Sequence, residues 1–312
     1  MSKRIENRSN DRIIATGLTD CGKIHDHNED AFSISEYPHL FIVSDGMGEG
    51  QVAGKVISGI VTRELPMQVS VAFSTFHNYK EYGVTSVLKH TIMDLSDKVY
   101  ARAVEVDYLR GAGATIVACL VHGNVAVIAN MGDSRSYLIR GARLEQLTRD
   151  HTIGGMLLRL GMIPREEAEQ HSGSRILTRH VGMEANSGPD IGLLDLKKGD
   201  RLLLCTDGLT SMVPDPDIGE ILWSESDIEI ACTKLVNAAN EAGGKDNITV
   251  LIVQYNGFEQ SERRKKKVLV RQEIGKSLRK EEAQAESTYS QQGVGTRSHR
   301  SLSGFRTNTQ KH

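Results

Sequence analysis

This chain of 312 residues has little cysteine, and the four it has are dispersed: Cys21, Cys119, Cys205 and Cys232. No Cys-x-x-Cys zinc or redox pattern can be built from them. Cys119 and Cys205 sit in apolar runs and are expected to be small buried hydrophobes. Without a disulfide framework, the cell interior is the expected compartment, and the cytoplasm in particular. No run of 18 apolar residues exists, so no membrane-spanning helix is expected. Residues 1–11 are polar and charged, without the apolar stretch of a secretory signal. Three catalytic signatures are missing too. There is no Gly-x-Ser-x-Gly nucleophile elbow, no Gly-x-x-x-x-Gly-Lys-Ser/Thr phosphate loop, and no cysteine with an arginine six positions on.

What is present is a composition close to that of soluble globular proteins, 39% hydrophobic and 25% charged, with enough chain for a sizeable core. The net charge of −2 is unevenly spread. Residues 259–312 hold thirteen Lys or Arg against six Glu, a surplus of seven positive charges. The first 258 residues hold 25 basic against 34 acidic, an excess of nine negative charges. The expected organisation is a flexible segment at 1–11, an acidic folded body at 12–258 and a basic, disordered tail at 259–312. Such a tail is a candidate to dock on an acidic surface. It lacks the interleaved aromatic residues of a specific nucleic-acid binder.

Phe41-Ile42-Val43-Ser44-Asp45-Gly46-Met47-Gly48 holds the most informative pattern: an apolar run that stops at an acid followed by alternating glycines. It reads either as a buried strand delivering a carboxylate to a rim, or as an ordinary Asp-Gly turn. The rest of the chain repeats it. Strands are expected at 13–18, 31–35 and 40–44, the last two as an antiparallel pair that brings Glu29 and Asp30 beside Asp45. A helix should follow Gly50 and stop at Pro66, with a second at 84–106, where Val84, Leu88, Ile92, Leu95, Val99 and Ala103 form one stripe. Short strands at 115–120, 125–130 and 136–139 bracket Asp133. Residues 147–171, with Gly154-Gly155 as flexible joints, read as a helical excursion, either a flap beside a site or a plain surface connection. A strand at 201–205 ends in Asp207-Gly208, a helix spans 228–239, and Asp246 precedes a last strand at 248–253.

Five acids thus stand at strand tips: Glu29, Asp45, Asp133, Asp207 and Asp246. Carboxylates held together repel one another unless a cation compensates them. Oxygen ligands select hard divalent ions such as Mg²⁺ and Mn²⁺. Two such ions, roughly 3.5–4 Å apart, can share a carboxylate, activate a water and steady a transferring phosphoryl group. His25-x-His27 with Glu29 is a weaker zinc pattern, because the further ligands in this chain are acids.

The serial order of Thr19-Asp20-x-Gly22, Asn28-Glu29-Asp30, Ser44-Asp45-Gly46-Met47-Gly48, Gly113-Ala114-Thr115, Gly132-Asp133-Ser134-Arg135, Thr206-Asp207-Gly208 and Asp246-Asn247-Ile248-Thr249 resembles the PPM family of metal-dependent protein serine/threonine phosphatases (type 2C), in its bacterial-like form. The resemblance runs from about residue 13 to 255. It implies an α+β fold, a four-layer α-β-β-α sandwich of two packed antiparallel sheets flanked by helices. It also implies hydrolysis of phosphoserine and phosphothreonine in protein substrates of Ser/Thr kinases, at a centre of two Mg²⁺ or Mn²⁺ ions. By motif, Asp45 would bridge both ions, with Asp207 and Asp246 completing one and Glu29 and the Gly46 carbonyl the other. Asp30 would orient bound water, and Asp133 would share a third ion with Asp207. The stretch near 150–175 would be a substrate-selecting flap. The chain departs from the pattern at His25, where an arginine usually grips the phosphate, and at Glu49-Gly50, where Gly-His is common. His25 is the candidate phosphate binder, with Lys23 or Arg135 as substitutes. Loss of that arginine also leaves open a second reading, a catalytically weak relative that binds metal and phosphoprotein as a regulator.

Overall fold

The strands fall into two antiparallel sheets. The computed structural model describes residues 3–6, 12–49, 52–75, 79–184 and 188–257, so the basic tail lies outside the described residues. In spatial order the first sheet runs β1 (Lys3–Glu6), β2 (Ile13–Asp20), β12 (Ile248–Tyr255), β11 (Arg201–Cys205), β8 (Arg135–Arg140) and β9 (Arg143–Gln146). The second runs β10 (Asp190–Asp195), β7 (Val125–Met131), β6 (Ile116–His122), β4 (His39–Met47) and β3 (Asp30–Ser35), with β5 (Gly113–Ala114) added to the end of β4.

Three apolar clusters hold four layers together. α1 (Ala53–Thr75) and α2 (Tyr79–Glu105) cover the outer face of the second sheet, packing Ile57, Leu65, Leu88 and Ile92 on Leu40, Ile42 and Ala118. α6 (Asp215–Ser224) and α7 (Ile228–Glu241) cover the outer face of the first, packing Ile218, Leu222 and Leu235 on Leu203, Val250 and Ile252. Between the sheets lie Phe41, Val43, Val117, Leu202, Leu204, Leu251 and Val253. This is the expected α-β-β-α sandwich. A strand buried on both faces needs apolar residues at consecutive positions, which is why β4, β11 and β12 read as continuous apolar runs.

The alternation of side chains along a strand explains where the site is. In β4 the residues facing the other sheet are Phe41, Val43 and then Asp45; in β11 they are Leu202, Leu204 and, one step past its end, Thr206. In β12, read backwards, they are Val253, Leu251 and Thr249; in β3, Ile34, Phe32 and Asp30; beside β6, Val117 is preceded by Thr115. Five inter-sheet stripes therefore change from apolar to polar at the same end of the sandwich.

Four local expectations are corrected. α1 does not stop at Pro66 but runs through it to Thr75. Proline removes one helical hydrogen bond, at a cost of about 3 kcal/mol. Leu65 and Val69, both fully buried, recover roughly 1.5–3 kcal/mol each by continuing the buried face. Asp45 is not at a strand end, because β4 switches partner: it pairs with β6 up to Val43 and with β5 at Gly46 and Met47. Gly46 permits this, since a Cβ there would strike the carbonyls of Gly54 and Glu29 where α1 presses on the strand. Residues 3–6 are not loose but pair with β2 from Lys3↔Gly17 to Glu6↔Ile14. Backbone pairing at a sheet edge needs no apolar pattern. Gly154 and Gly155 are not joints: they form the first turn of α3 (Ile153–Arg159), capped by Thr152, and a Cβ on Gly154 would lie 2.6 Å from the Ala168 carbonyl of α4 (Arg165–Gln170). They are close-packing positions.

Candidate metal centre

The polar ends of the five stripes form a cup. Asp30 and Asp45 are directly opposite in the β3–β4 ladder. Like charges so placed are destabilising on an ordinary sheet. Here the backbone holds them. The Asp45 N–H donates to Thr115 Oγ1 (3.0 Å), the Thr115 N–H donates to the Asp45 carbonyl (2.8 Å), and Thr115 Oγ1 meets Ser134 Oγ at 2.6 Å, beside Asp133. The Gly-Ala-Thr motif is thus a buckle between β4 and the loop that carries Asp133.

Asp30 ties the two sheets together. Its Oδ2 accepts from Thr206 Oγ1 (2.9 Å) and Thr249 Oγ1 (2.7 Å), both from the first sheet, while its Oδ1 is buried without a hydrogen-bond partner among the described residues. Thr19 and Asn28 extend the network: Asn28 Nδ2 donates to Thr19 Oγ1 (2.8 Å), and Thr19 Oγ1 meets Thr249 Oγ1 at 2.7 Å. Asp207 opens the short helix α5 (Asp207–Thr210), and Asp246 stands one residue before Asn247 at the start of β12. Glu29 Oε1 and Asp207 Oδ1 are also buried without hydrogen-bond partners among the described residues.

The electrostatics follow from crowding. Burial, and then Asp30, Asp207, Asp133 and Asp246, push the Asp45 carboxyl well above the usual range. Asp30 is raised likewise by burial, against the lowering effect of its two threonine hydroxyls. Burial and Asp207 push Asp133 up to about 8; burial and Asp246 push Asp207 up to about 6. Asp45, Asp133, Asp207 and Asp246 therefore lie within one another's fields, and the site resists further negative charge.

Among the described residues, no three acid, histidine or cysteine side chains already close around one point. The carboxylates line the cup without forming a finished ion shell, as like charges do until a cation draws them together. The donors are nonetheless suited to a hard divalent ion: all are oxygens, several lack hydrogen-bond partners among the described residues, and burial, then the neighbouring acids, raise the carboxyls of Asp45, Asp133 and Asp207.

His25 lies at the rim, half exposed, with Nε2 3.5 Å from Asp246 Oδ1. Arg135 is committed elsewhere. Its guanidinium clamps Asp150 (Nη2 to Oδ2, 2.7 Å; Nε to Oδ1, 3.0 Å) and donates to Tyr137, so it is not a substitute phosphate grip. Lys23 is exposed, and its backbone N–H donates to the Gly244 carbonyl (2.7 Å). Residues 150–175 supply a further cation: the charge of the exposed Arg175 reaches Asp207 and opposes the upward shift of its pKa.

Two residues without a sequence-assigned role organise the cup. Asn247 is 6% exposed; its Oδ1 accepts the Glu29 N–H (2.8 Å), and its Nδ2 donates to the carbonyls of Cys21 (2.9 Å) and His27 (3.0 Å). It pins the 21–29 loop to β12. Asn247→Ala would remove three part-buried hydrogen bonds, for a loss of about 2–3 kcal/mol and a drop in Tm of roughly 5–10 °C, to be measured by thermal melting. An unchanged Tm would show that water replaces all three bonds. His151, 3% exposed, is the other. Its ring Nδ1 accepts the Gly132 N–H (3.2 Å), and the His151 backbone N–H donates to the Gly132 carbonyl (2.9 Å). Its Nε2 lies 3.1 Å from Asp190 Oδ2, near enough for attraction though off the axis of a hydrogen bond. Burial holds its imidazole below the usual range. Asn247 could have been suspected from its place after Asp246; nothing in the sequence marks His151.

An acid cup at the mouth of an α-β-β-α sandwich defines a class of metal-dependent hydrolase folds. Residues 22–249 match the family model described as protein phosphatase 2C, and the chain belongs to that family. It is 38% identical over 241 residues to a serine/threonine phosphatase (stp) of Listeria monocytogenes, covering 76% of this chain and 93% of the relative. Among solved structures it is similar to the serine/threonine phosphatase Stp1 from Staphylococcus aureus, with a TM-score of 0.69 and 33% identity over 78% of this chain and 95% of that one. It is also similar to the catalytic domain of the serine/threonine protein phosphatase PstP in complex with two manganese ions, with a TM-score of 0.65 and 28% identity over 78% of this chain and 98% of that one.

Proposed function

We propose that this chain is a protein serine/threonine phosphatase that hydrolyses phosphoserine and phosphothreonine at a cup charged with Mg²⁺ or Mn²⁺. The observation that carries the reading is the convergence of Asp30, Asp45, Asp133, Asp207 and Asp246 within one another's fields, with buried oxygens on Glu29, Asp30 and Asp207 left without hydrogen-bond partners among the described residues. Asp45, central among the acids, is the residue suited to be shared by two ions. Glu29 with the Gly46 carbonyl would serve one, Asp207 with Asp246 the other, and Asp133 with Asp207 a third. Bound divalent ions would supply an acidified water and neutralise the phosphoryl oxygens.

The chain's own groups do the rest. Asp30 keeps Oδ2 on two threonines, leaving Oδ1 to orient water and take its proton. Asn247 holds Glu29 to β12, and the Thr115–Ser134 pair holds Asp45 to the Asp133 loop. His25, beside Asp246, is the rim donor for substrate phosphate. The catalytic unit is residues 12–258. Its substrates are phosphoproteins made by Ser/Thr kinases, and its four free cysteines suit the reducing cytoplasm. Among the described residues no helix is long and apolar enough to cross a membrane.

The direct test is release of phosphate from a phosphothreonine peptide. Release should require Mn²⁺ or Mg²⁺ and stop with a chelator; turnover that survives chelation overturns the proposal. A planar guanidinium grips phosphate with two donors where imidazole offers one. His25→Arg is therefore expected to lower KM for the peptide several-fold, by about 1 kcal/mol, with kcat little changed. A KM that rises or stays put would remove His25 from phosphate binding.

A further inference from the structure

A cavity of about 760 Å³ lies outside the acid cup, between the first part of α2, the end of β7, residues 147–149 and β10. That volume is within the range of small-molecule sites. Its lining is mixed in a specific way. Lys89 and Arg149 are exposed cations; Ser86 supplies a hydroxyl; Ile128 and Leu147 are apolar. The one acid in the lining, Asp190, is engaged by Arg179 (2.6 Å) and His151 (3.1 Å), so the two cations are not neutralised from within. Asn130, 2% exposed, also lines the cavity. Its Nδ2 donates to the carbonyls of Gly132 (3.3 Å) and Arg149 (3.0 Å), while its Oδ1 has no hydrogen-bond partner among the described residues.

Two of these lining residues also hold the Asp133 loop. Asn130 bonds the Gly132 carbonyl directly, and Asp190 acts through His151, whose ring and backbone take both the N–H and the carbonyl of Gly132. A molecule that bonds Asn130 or draws on Arg149 pulls on the peptide that carries Asp133. We propose that this cavity is a regulatory site for a small anionic molecule with an apolar body and one hydrogen-bond donor, and that its occupancy changes divalent-ion affinity at the cup. The anion sits between Lys89 and Arg149, the donor meets Asn130 Oδ1, and the body lies against Ile128 and Leu147, which share the inter-sheet face. The regulatory half rests on the metal-centre reading above; the binding half does not.

The probe is 8-anilinonaphthalene-1-sulfonate, which carries a sulfonate, one N–H and an apolar body, and is no phosphate ester. With the full chain, saturable fluorescence at one site per molecule is expected. Lys89→Glu and Arg149→Glu should each weaken it about tenfold or more, and Arg165→Glu, in the separate cleft beside α6, should not. Calorimetric titration with Mn²⁺ should then give a dissociation constant shifted at least about threefold by saturating probe in the wild type and unshifted in Lys89→Glu. Binding that ignores both cation reversals, or never saturates, overturns the site. Lys89-dependent binding with an unmoved Mn²⁺ constant overturns the coupling. Wild-type protein that takes up no Mn²⁺ at all fails the metal-centre reading, while the fluorescence arm still decides the site.

Discussion

Asp45→Asn is expected to lower kcat/KM for phosphopeptide hydrolysis by at least about 10³-fold, roughly 4 kcal/mol, and at the same time to raise the Tm of the chelator-treated protein. The two effects have one cause. Asp45 faces Asp30 across the ladder, and its carboxyl is held far above its ordinary pKa by burial and by four other acids. An amide of the same shape removes a charge that the metal-free fold tolerates poorly, and keeps the packing. It also removes the anion best placed to be shared between two cations. Function and metal-free stability therefore oppose each other at this position. Steady-state kinetics at saturating Mn²⁺, beside calorimetric melts with chelator, give both numbers. A variant that keeps a tenth of the wild-type turnover would refute the central place given to Asp45.

The second large effect is on pH. In the unfolded chain these carboxyls titrate near 3.9. In the fold, burial and then Asp207 raise Asp133 to about 8, and burial and then Asp246 raise Asp207 to about 6. An acid whose folded pKa is raised favours the fold while protonated. Its contribution is complete below about pH 4 and is lost as pH climbs through 6 and then 8. Chelated protein should therefore be less stable at pH 8 than at pH 5.5, by an amount on the order of a few kcal/mol. Mn²⁺ should restore the loss at pH 8 and do little at pH 5.5, where protons compete for the same oxygens. Equal melting temperatures at the two pH values with chelator would mean that the acids do not repel one another as their placement implies.

Much of this architecture could be read from the chain because its central strands are buried on both faces. Such strands have to be apolar at successive positions, so β4, β11 and β12 stand out in the sequence, and so do the acids beside them: Asp45 comes just past the apolar run of β4, Asp207 just after β11, and Asp246 just before β12. The peripheral elements gave no such signal. β10 is largely exposed and shows no alternation. β9 has four residues, one of them apolar. The run of β4 through Gly46 and Met47 depended on β5, a two-residue partner more than sixty positions away. Site residues were legible where chemistry needs a charge, and illegible where it needs only a fixed hydrogen bond. Asp207 and Asp246 announce themselves. Asn247, His151 and the Arg135–Asp150 clamp matter through what they hold, and that is set by tertiary contact alone.

β12 is the last strand of the described chain, yet it lies at the middle of the first sheet, between β2 and β11. Asp246, Asn247 and Thr249 arrive with it. During synthesis, then, the first sheet stays split and the acid cup has no floor until the ribosome has released residues near 255. A polypeptide ended before β12 would keep Glu29, Asp45, Asp133 and Asp207 but lack Asp246 and the strand that joins β2 to β11.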